Sequence, residues 1–253
     1  MAIVQLQHGV AEYSERFVHQ YSQLIPHLVS SGIEVWAMDL PGHGRSPGRR
    51  GVVDVRRAVE EHVLVRHDIL ARQLPLLLLG HSLGGLVTAG SITADQTGIA
   101  GAVLLSPALP HPPPAGIQAL LNAVAQVLPV APAPVPAAPA SDLTRRADVV
   151  HKAAQDPLIA HRSLPLLVAT SSLAVAAKVW AAAPQWQFPC LVVHGTADTS
   201  TDHQASRRPA KLLSNKDSAH LPITDGRHEL LHDDDATLVL QHVLTFVNHR
   251  LGT

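Results

Sequence analysis

The sequence predicts an α/β fold: a mostly parallel central sheet with helices on both faces, carrying a helical cap. Three observations predict it. Short apolar runs that read as strands alternate with segments of helical spacing up to residue 105 and again from residue 190 onward. Residues 76 to 85, Leu-Leu-Leu-Leu-Gly-His-Ser-Leu-Gly-Gly, put a strand, a small-residue turn and an apolar helix in immediate succession. Between the two alternating regions the pattern stops, and residues 107 to 186 become rich in Pro and Ala. The expected organisation is a core of residues 1–106 and 187–253, with 107–186 as the inserted cap.

Each element has its own justification. Ile3 to Gln7 alternates like a strand and runs into His8-Gly9; residues 17 to 31 (Phe17, Tyr21, Leu24, Ile25, Leu28) carry helical spacing and stop at Ser31-Gly32. Ile33 to Met38 is a second strand, followed by the turn-rich loop Asp39 to Ser46, and Val53 to Arg72 is helical again. After the 76–85 stretch comes the strand Gly101 to Leu105. Within the cap, Ile117, Leu120, Leu121, Val124, Val127 and Leu128 repeat at helical spacing, in a region from Gln96 to Ser141 that holds no charged residue. That helix is too short to span a bilayer, so it should be buried or lie over something apolar. A proline-punctuated connector at 129–140, a polar helix near 144–155 and an apolar one near 165–183 complete the cap. The alternation resumes with the strand Cys190 to His194, a helix near 202–213, a short strand near 218–223 and a terminal helix near 234–250.

Composition narrows the function. With 253 residues, 19 Lys plus Arg and 20 Asp plus Glu, the chain is long enough for one large core and has no electrostatic case for nucleic acid. One cysteine, Cys190, cannot form an internal disulfide and reads as a small core residue. No leader-like segment opens the chain and the apolar runs are interrupted, so the expected location is cytoplasmic. The 17 histidines are scattered, which gives no metal site and no cofactor.

The chemistry concentrates on Ser82. Gly80-His81-Ser82-Leu83-Gly84 is a Gly-x-Ser-x-Gly nucleophile elbow, and a Cβ at 80 or 84 would collide with the neighbouring strand or helix. A serine hydroxyl needs a base, and the base needs an acid to hold it. Asp198 follows the strand ending at His194, and His228 follows the next strand, each in the required chain order; Asp202 and Asp225 are alternatives for the acid. An oxyanion would need two backbone N–H donors, expected from Leu83 after the serine and from Val10 in the His8-Gly9-Val10 loop.

These residues together resemble the α/β-hydrolases of the monoacylglycerol lipase and lysophospholipase (serine aminopeptidase S33-like) group. The resemblance rests on His8-Gly9-x-x-Glu12 with Arg16, Asp39-x-Pro41-Gly42-His43-Gly44-Arg45-Ser46, the elbow, Asp156-Pro157-Leu158, His194-Gly195-x-x-Asp198 and His228-Glu229-Leu230-Leu231. It implies hydrolysis of a single-chain glyceride, lysophospholipid or similar ester through an acyl-enzyme. The cap would form an apolar acyl tunnel, with Ile117, Leu120, Leu121 and Val124 as substrate-binding residues. The apolar helix near 117–128 suggests transient contact of the cap with a membrane surface while substrate enters, a peripheral association of a cytoplasmic protein; the oligomeric state is left open. Three positions depart from the family: Tyr13 replaces a histidine, Arg227 an aromatic, and no tyrosine precedes Asp156. Relatives carry a further pair of strands ahead of His8-Gly9, so either the start of the sequence is misassigned or the sheet has lost an edge and exposes a strand there.

Two other readings compete. His228-Glu229-Leu230-Leu231-His232 matches the zinc-peptidase pattern His-Glu-x-x-His, which requires one continuous helix that Pro222 and Gly226 oppose. A truncated, weakly active or inactive hydrolase-fold remnant is the other.

Overall fold

The computed structural model describes residues 1–135, 139–160, 163–205 and 217–253. Among them six strands form one parallel sheet: β1 (Ala2–Gln7), β2 (Ile33–Met38), β3 (Leu76–His81), β4 (Ile99–Leu105), β5 (Cys190–Gly195) and β6 (Ala219–Ile223). The strand order is β2-β1-β3-β4-β5-β6. β3 and β5 are buried along their whole length, which is why they read as continuous apolar runs: both sheet faces are covered. The expected weak edge at the first strand is displaced by one position. β1 lies inside the sheet, paired with β2 and β3, and the half-exposed edge is β2.

Period-two alternation sorts the strand side chains into two cores. On one face Ile3, Leu76, Leu78, Leu104 and Val192 pack with α3 (Val55–Leu70), α4 (Leu83–Ala94) and α7 (Leu166–Ala182). On the other, Val4, Leu6, Leu77, Leu79 and Val193 pack with α2 (Leu24–Ser30) and the terminal α8 (Ala236–Leu251). Helix α3 starts where Asp54 accepts the Arg56 N–H at 3.0 Å, and α8 stops at Gly252 with φ 69°. Cys190 is fully buried at the start of β5.

The single helix expected over 17–31 is broken. α1 (Arg16–His19) and α2 are separated by Tyr21, Ser22 and Gln23, all with φ between 41° and 52°. Local periodicity is overridden by tertiary bonds: Tyr21 N–H donates to His232 Nε2 at 2.6 Å and the Ser22 hydroxyl to the Leu231 carbonyl at 2.8 Å. The helix expected near 202–213 falls largely on residues 206–216, and part of the 129–140 connector on 136–138, outside the described residues.

Residues 107–186 contribute α5 (Ala115–Val127), α6 (Ala147–Gln155) and α7. α7 continues into a short turn, and Leu166–Gln185 is apolar and long enough to cross a membrane by length and composition. Half of that stretch is buried, and the Ser171 hydroxyl in α7 accepts the Val55 N–H at the start of α3, so α7 is a packing helix of the core. α5 behaves differently. Only Ala125 of this helix is buried, and Leu120 and Val127 are 65% and 79% exposed.

Candidate active site

The site lies beyond the carboxyl ends of β1, β3, β5 and β6, where the loops of a parallel sheet converge. Ser82 sits between β3 and α4 at φ 53°, ψ −120°, a strained conformation for a residue with a side chain. The turn is held by Ser82 N–H to the Leu105 carbonyl and Ala108 N–H to the Ser82 carbonyl. A Cβ on Gly80 would come within 2.4 Å of the Gly84 carbonyl oxygen, and one on Gly84 within 2.2 Å of the Gln7 carbonyl oxygen. Those glycines let the serine turn sit directly against the end of β1.

The two polar residues expected beside Ser82 are there. His228 Nε2 is 2.8 Å from Ser82 Oγ, and His228 Nδ1 is 2.8 Å from Asp198 Oδ2. Asp202 and Asp225 do not fill this role: Asp202 accepts its own loop's Gln204 N–H, and Asp225 lies at an exposed turn with φ 55°. Burial disfavours charge on His228, yet the carboxylates around it, Asp198 foremost with Glu229 and Glu12, together raise the imidazole's pKa. Burial likewise favours the neutral acid at Asp198, but His228 and His194 hold its pKa far below the usual carboxylate range. A second fixture carries no signal in the sequence. Ser106, at φ 42° after β4, donates to the His228 carbonyl at 2.8 Å and pins that loop from below.

On the other side of Ser82, Gly9 is so close that a Cβ there would lie 3.0 Å from the Ser82 Cβ. The Gly9 N–H is committed to Glu12 Oε1 at 2.6 Å. The amides of Val10 and Leu83 have no hydrogen-bond partner among the described residues, and Leu83 opens the 12-residue helix α4, whose dipole favours negative charge at that end.

Beneath these groups runs a buried polar chain. Glu12 Oε1 accepts from His81 Nδ1 at 2.7 Å, and Arg16 bridges Glu12 at 3.0 Å and Glu229 at 3.4 Å. Glu229 in turn takes His232 Nδ1 at 2.6 Å, and the His232 ring stacks on Tyr21 at 3.8 Å. Each partner is nearly inaccessible to solvent, so every charge needs its neighbour. The chain ties the residue before Ser82, the residue after His228 and the Gly9 loop into one unit. The His-Glu-x-x-His pattern is absorbed here: Leu230–His232 is a short turn, not a helix that carries both imidazoles on one face. His232 has both nitrogens engaged, and His228 faces Ser82.

The insertion touches the site at two places. Glu229 N–H donates to the Leu143 carbonyl at 2.7 Å, and Arg145 grips buried Asp233 with Nε 3.0 Å from both carboxylate oxygens. Arg227, which replaces an aromatic, reaches the Ser141 and Thr144 carbonyls. Tyr13, which replaces a histidine, donates to Asp156 at 2.7 Å; burial and that carboxylate push its pKa up to about 12. Ala160 N–H donates to the Ala11 carbonyl beside it. The four cap residues expected to bind substrate do not gather around Ser82 as a buried lining. Ile117, Leu120 and Val124 face outward, 39% or more exposed, and Leu121 is half-buried. The inner side of α5 carries buried Ala125 and half-buried Leu121, and Gln118 Nε2 donates to the Thr170 carbonyl of α7 at 3.0 Å.

Known proteins resemble this chain in sequence and fold. The family model described as serine aminopeptidase, S33, matches residues 1–235. The chain belongs to this family. It is therefore an α/β-hydrolase, in keeping with its parallel sheet and strand order. It is 32% identical to a monoacylglycerol lipase of Mycolicibacterium smegmatis over 97% of this chain and 87% of that one. To the monoglyceride lipase of Homo sapiens it is 30% identical over 92% of this chain and 77% of that one. The crystal structure of the Paleococcus ferrophilus monoacylglycerol lipase superposes with a TM-score of 0.85 at 29% identity, covering 98% of this chain and 94% of that one.

Proposed function

We propose that the protein is a serine carboxylic ester hydrolase that cleaves monoacylglycerols, or lysophospholipids, to a free fatty acid and an alcohol. The observation that carries the reading is the hydrogen-bonded line Ser82–His228–Asp198, with 2.8 Å at each step. His228 takes the Ser82 proton as Oγ attacks the ester carbonyl, and Asp198 orients the ring and stabilises the imidazolium. The resulting oxyanion is held by the Val10 and Leu83 amides, which are free to donate. His228 then gives its proton to the departing alcohol oxygen, leaving an acyl group on Ser82. Water, deprotonated by His228, attacks that acyl carbonyl, and collapse releases the carboxylic acid and restores the serine.

The substrate class is supported by the monoacylglycerol lipases named above and by the absence of Asp, Glu, Lys and Arg from Gln96 to Ser141, the stretch that includes α5. Residues 107–186 act as the cap. The outward face of α5, with Ile117, Leu120, Val124 and Val127, meets the lipid surface from which substrate is drawn. Leu121, half-buried, is on the acyl path itself. An activity profile over monoacylglycerols, lysophospholipids and short soluble esters, run beside the Ser82→Ala variant, tests the reading. Hydrolysis that survives Ser82→Ala undiminished would falsify the mechanism, and a preference for short soluble esters would overturn the substrate class.

A further inference from the structure

One wholly buried imidazole beside the site has no part in the steps above. His194 is the penultimate residue of β5, four residues before Asp198, and its Nε2 is 3.0 Å from Asp198 Oδ2. That is the same oxygen that takes His228 Nδ1. The Thr201 hydroxyl donates to it as well, at 2.8 Å, while lying 3.1 Å from His194 Nε2 and 3.4 Å from His228 Nδ1. Oδ1 is occupied by the Ser200 and Thr201 backbone N–H groups at 2.8 and 3.0 Å. Five donors thus share one carboxylate, which offers about four lone-pair sites, and three of them crowd a single oxygen.

We propose that His194 and Thr201 are positioning residues that limit the basicity of His228 by competing with it for the shared Asp198 oxygen. The inference rests on the triad reading of the proposed function. A donor on a carboxylate withdraws negative charge from its other partners, so each added donor weakens the stabilisation of the His228 imidazolium. His194 does this as a neutral ring. Its Nδ1 is buried without a partner among the described residues, so a second proton there would be an unpaired buried charge. Burial also holds its pKa low. The other charged or titratable groups facing His228 are Glu229, Glu12 and His81, whose ring centre is 5.2 Å away; His203 faces His194 at 6.4 Å. None of them donates to Asp198, so none duplicates the competition. The consequence is a division of labour on one oxygen. Asp198 lifts the His228 pKa, and the two extra donors make that rise smaller.

Three variants test this. Thr201→Val removes the hydroxyl and keeps the shape; His194→Leu removes the ring donor; His194→Gln keeps an N–H close to the position of Nε2. The His228 pKa is read twice: from the acid limb of kcat/KM for p-nitrophenyl butyrate, and directly by NMR titration of histidine-labelled protein, with the signal assigned by its loss in His228→Gln. Thr201→Val and His194→Leu each raise it by about half a pH unit, which is roughly a threefold loss of kcat/KM on the acid limb, while His194→Gln stays near wild type. An unchanged pKa in Thr201→Val overturns the proposal even if His194→Leu fails to fold. So does a shift in His194→Gln as large as in His194→Leu, since that marks loss of packing. If the wild-type protein hydrolyses no ester, the proposed function falls, and the NMR titration still decides this inference.

Discussion

The floor of the site and the outer face of α5 are built from opposite materials. Under Ser82, Glu12, Arg16, His81, Glu229 and His232 are buried and linked by hydrogen bonds and ion pairs of 2.6 to 3.4 Å. On α5, Ile117, Leu120, Val124 and Val127 stand exposed, in a segment from Gln96 to Ser141 without one formal charge. The first is specified to tenths of an ångström because a serine and an imidazole must meet in one geometry. The second, on the proposed reading, meets a lipid surface, which has no fixed shape and so demands no fixed partner. A mutation in the first region should cost reaction or stability on every substrate. In the second it should cost activity only where substrate is presented in a membrane.

The largest effect tests the first region at its centre. Ser82→Ala should lower kcat/KM on p-nitrophenyl esters by roughly 10⁴-fold or more while the melting temperature stays close to wild type. Next comes the floor. Arg16→Leu strands two buried carboxylates, and urea unfolding should show a loss of about 3–5 kcal/mol; a loss under about 1 kcal/mol would mean that the buried chain does not hold the fold. The pH profile probes the same region without mutation. His228 must be neutral to act as base and its pKa is raised, so kcat/KM should fall about tenfold per unit below an apparent pKa lying above the ordinary 6.5. Stability runs the other way for this group. Its contribution is fully present below the unfolded value and is lost as pH rises through the folded one.

The outer face gives a smaller and more selective effect. Leu120→Asp with Val127→Asp should cut hydrolysis of vesicle-borne monoacylglycerol roughly tenfold, the sort of change about 1.4 kcal/mol produces, and leave a monomeric soluble ester untouched. Equal losses on both would erase the contrast between the regions. Smallest is Tyr13→Phe, which removes the bond to Asp156 between the Gly9–Glu12 loop and the insertion. About 1 kcal/mol of stability should go with it, read by thermal unfolding.

Much of the site is legible in the amino-acid sequence. Ser82, Asp198 and His228 can be placed because each follows a strand-like run, and chain order carries over into spatial order in a parallel sheet. The buried floor is not legible as a unit. Glu12, Arg16 and Glu229 are visible as motif residues, but nothing in the sequence brings positions 213 residues apart to one guanidinium. Ser106 and the Arg145 grip on Asp233 escape notice for the same reason: a serine before a proline and an arginine in a polar stretch look like ordinary loop residues. The helix expected over 17–31 fails where tertiary bonds from Leu231 and His232 outweigh local periodicity.

The sequence by itself determined the α/β class, the order of the strands along the chain, the elbow and the identity of its two partners. Periodicity and chain order are local properties, so the linear chain carries them in full. Only the tertiary structure decided which face of α5 is open. Helical spacing fixes that apolar side chains share a stripe, but not whether a neighbour covers it, and here Gln118 bonds to α7 while Ile117, Leu120, Val124 and Val127 are exposed. It also decided where the loose sheet edge lies, moving it from β1 to β2, because hydrogen-bond pairing across strands is not encoded in any single strand. The sharing of one Asp198 oxygen by His228, His194 and Thr201 belongs to the same class. A strand end, the loop after it and the loop after β6 can each be read in sequence, but the meeting of His194, Thr201 and His228 on one atom is a matter of ångströms.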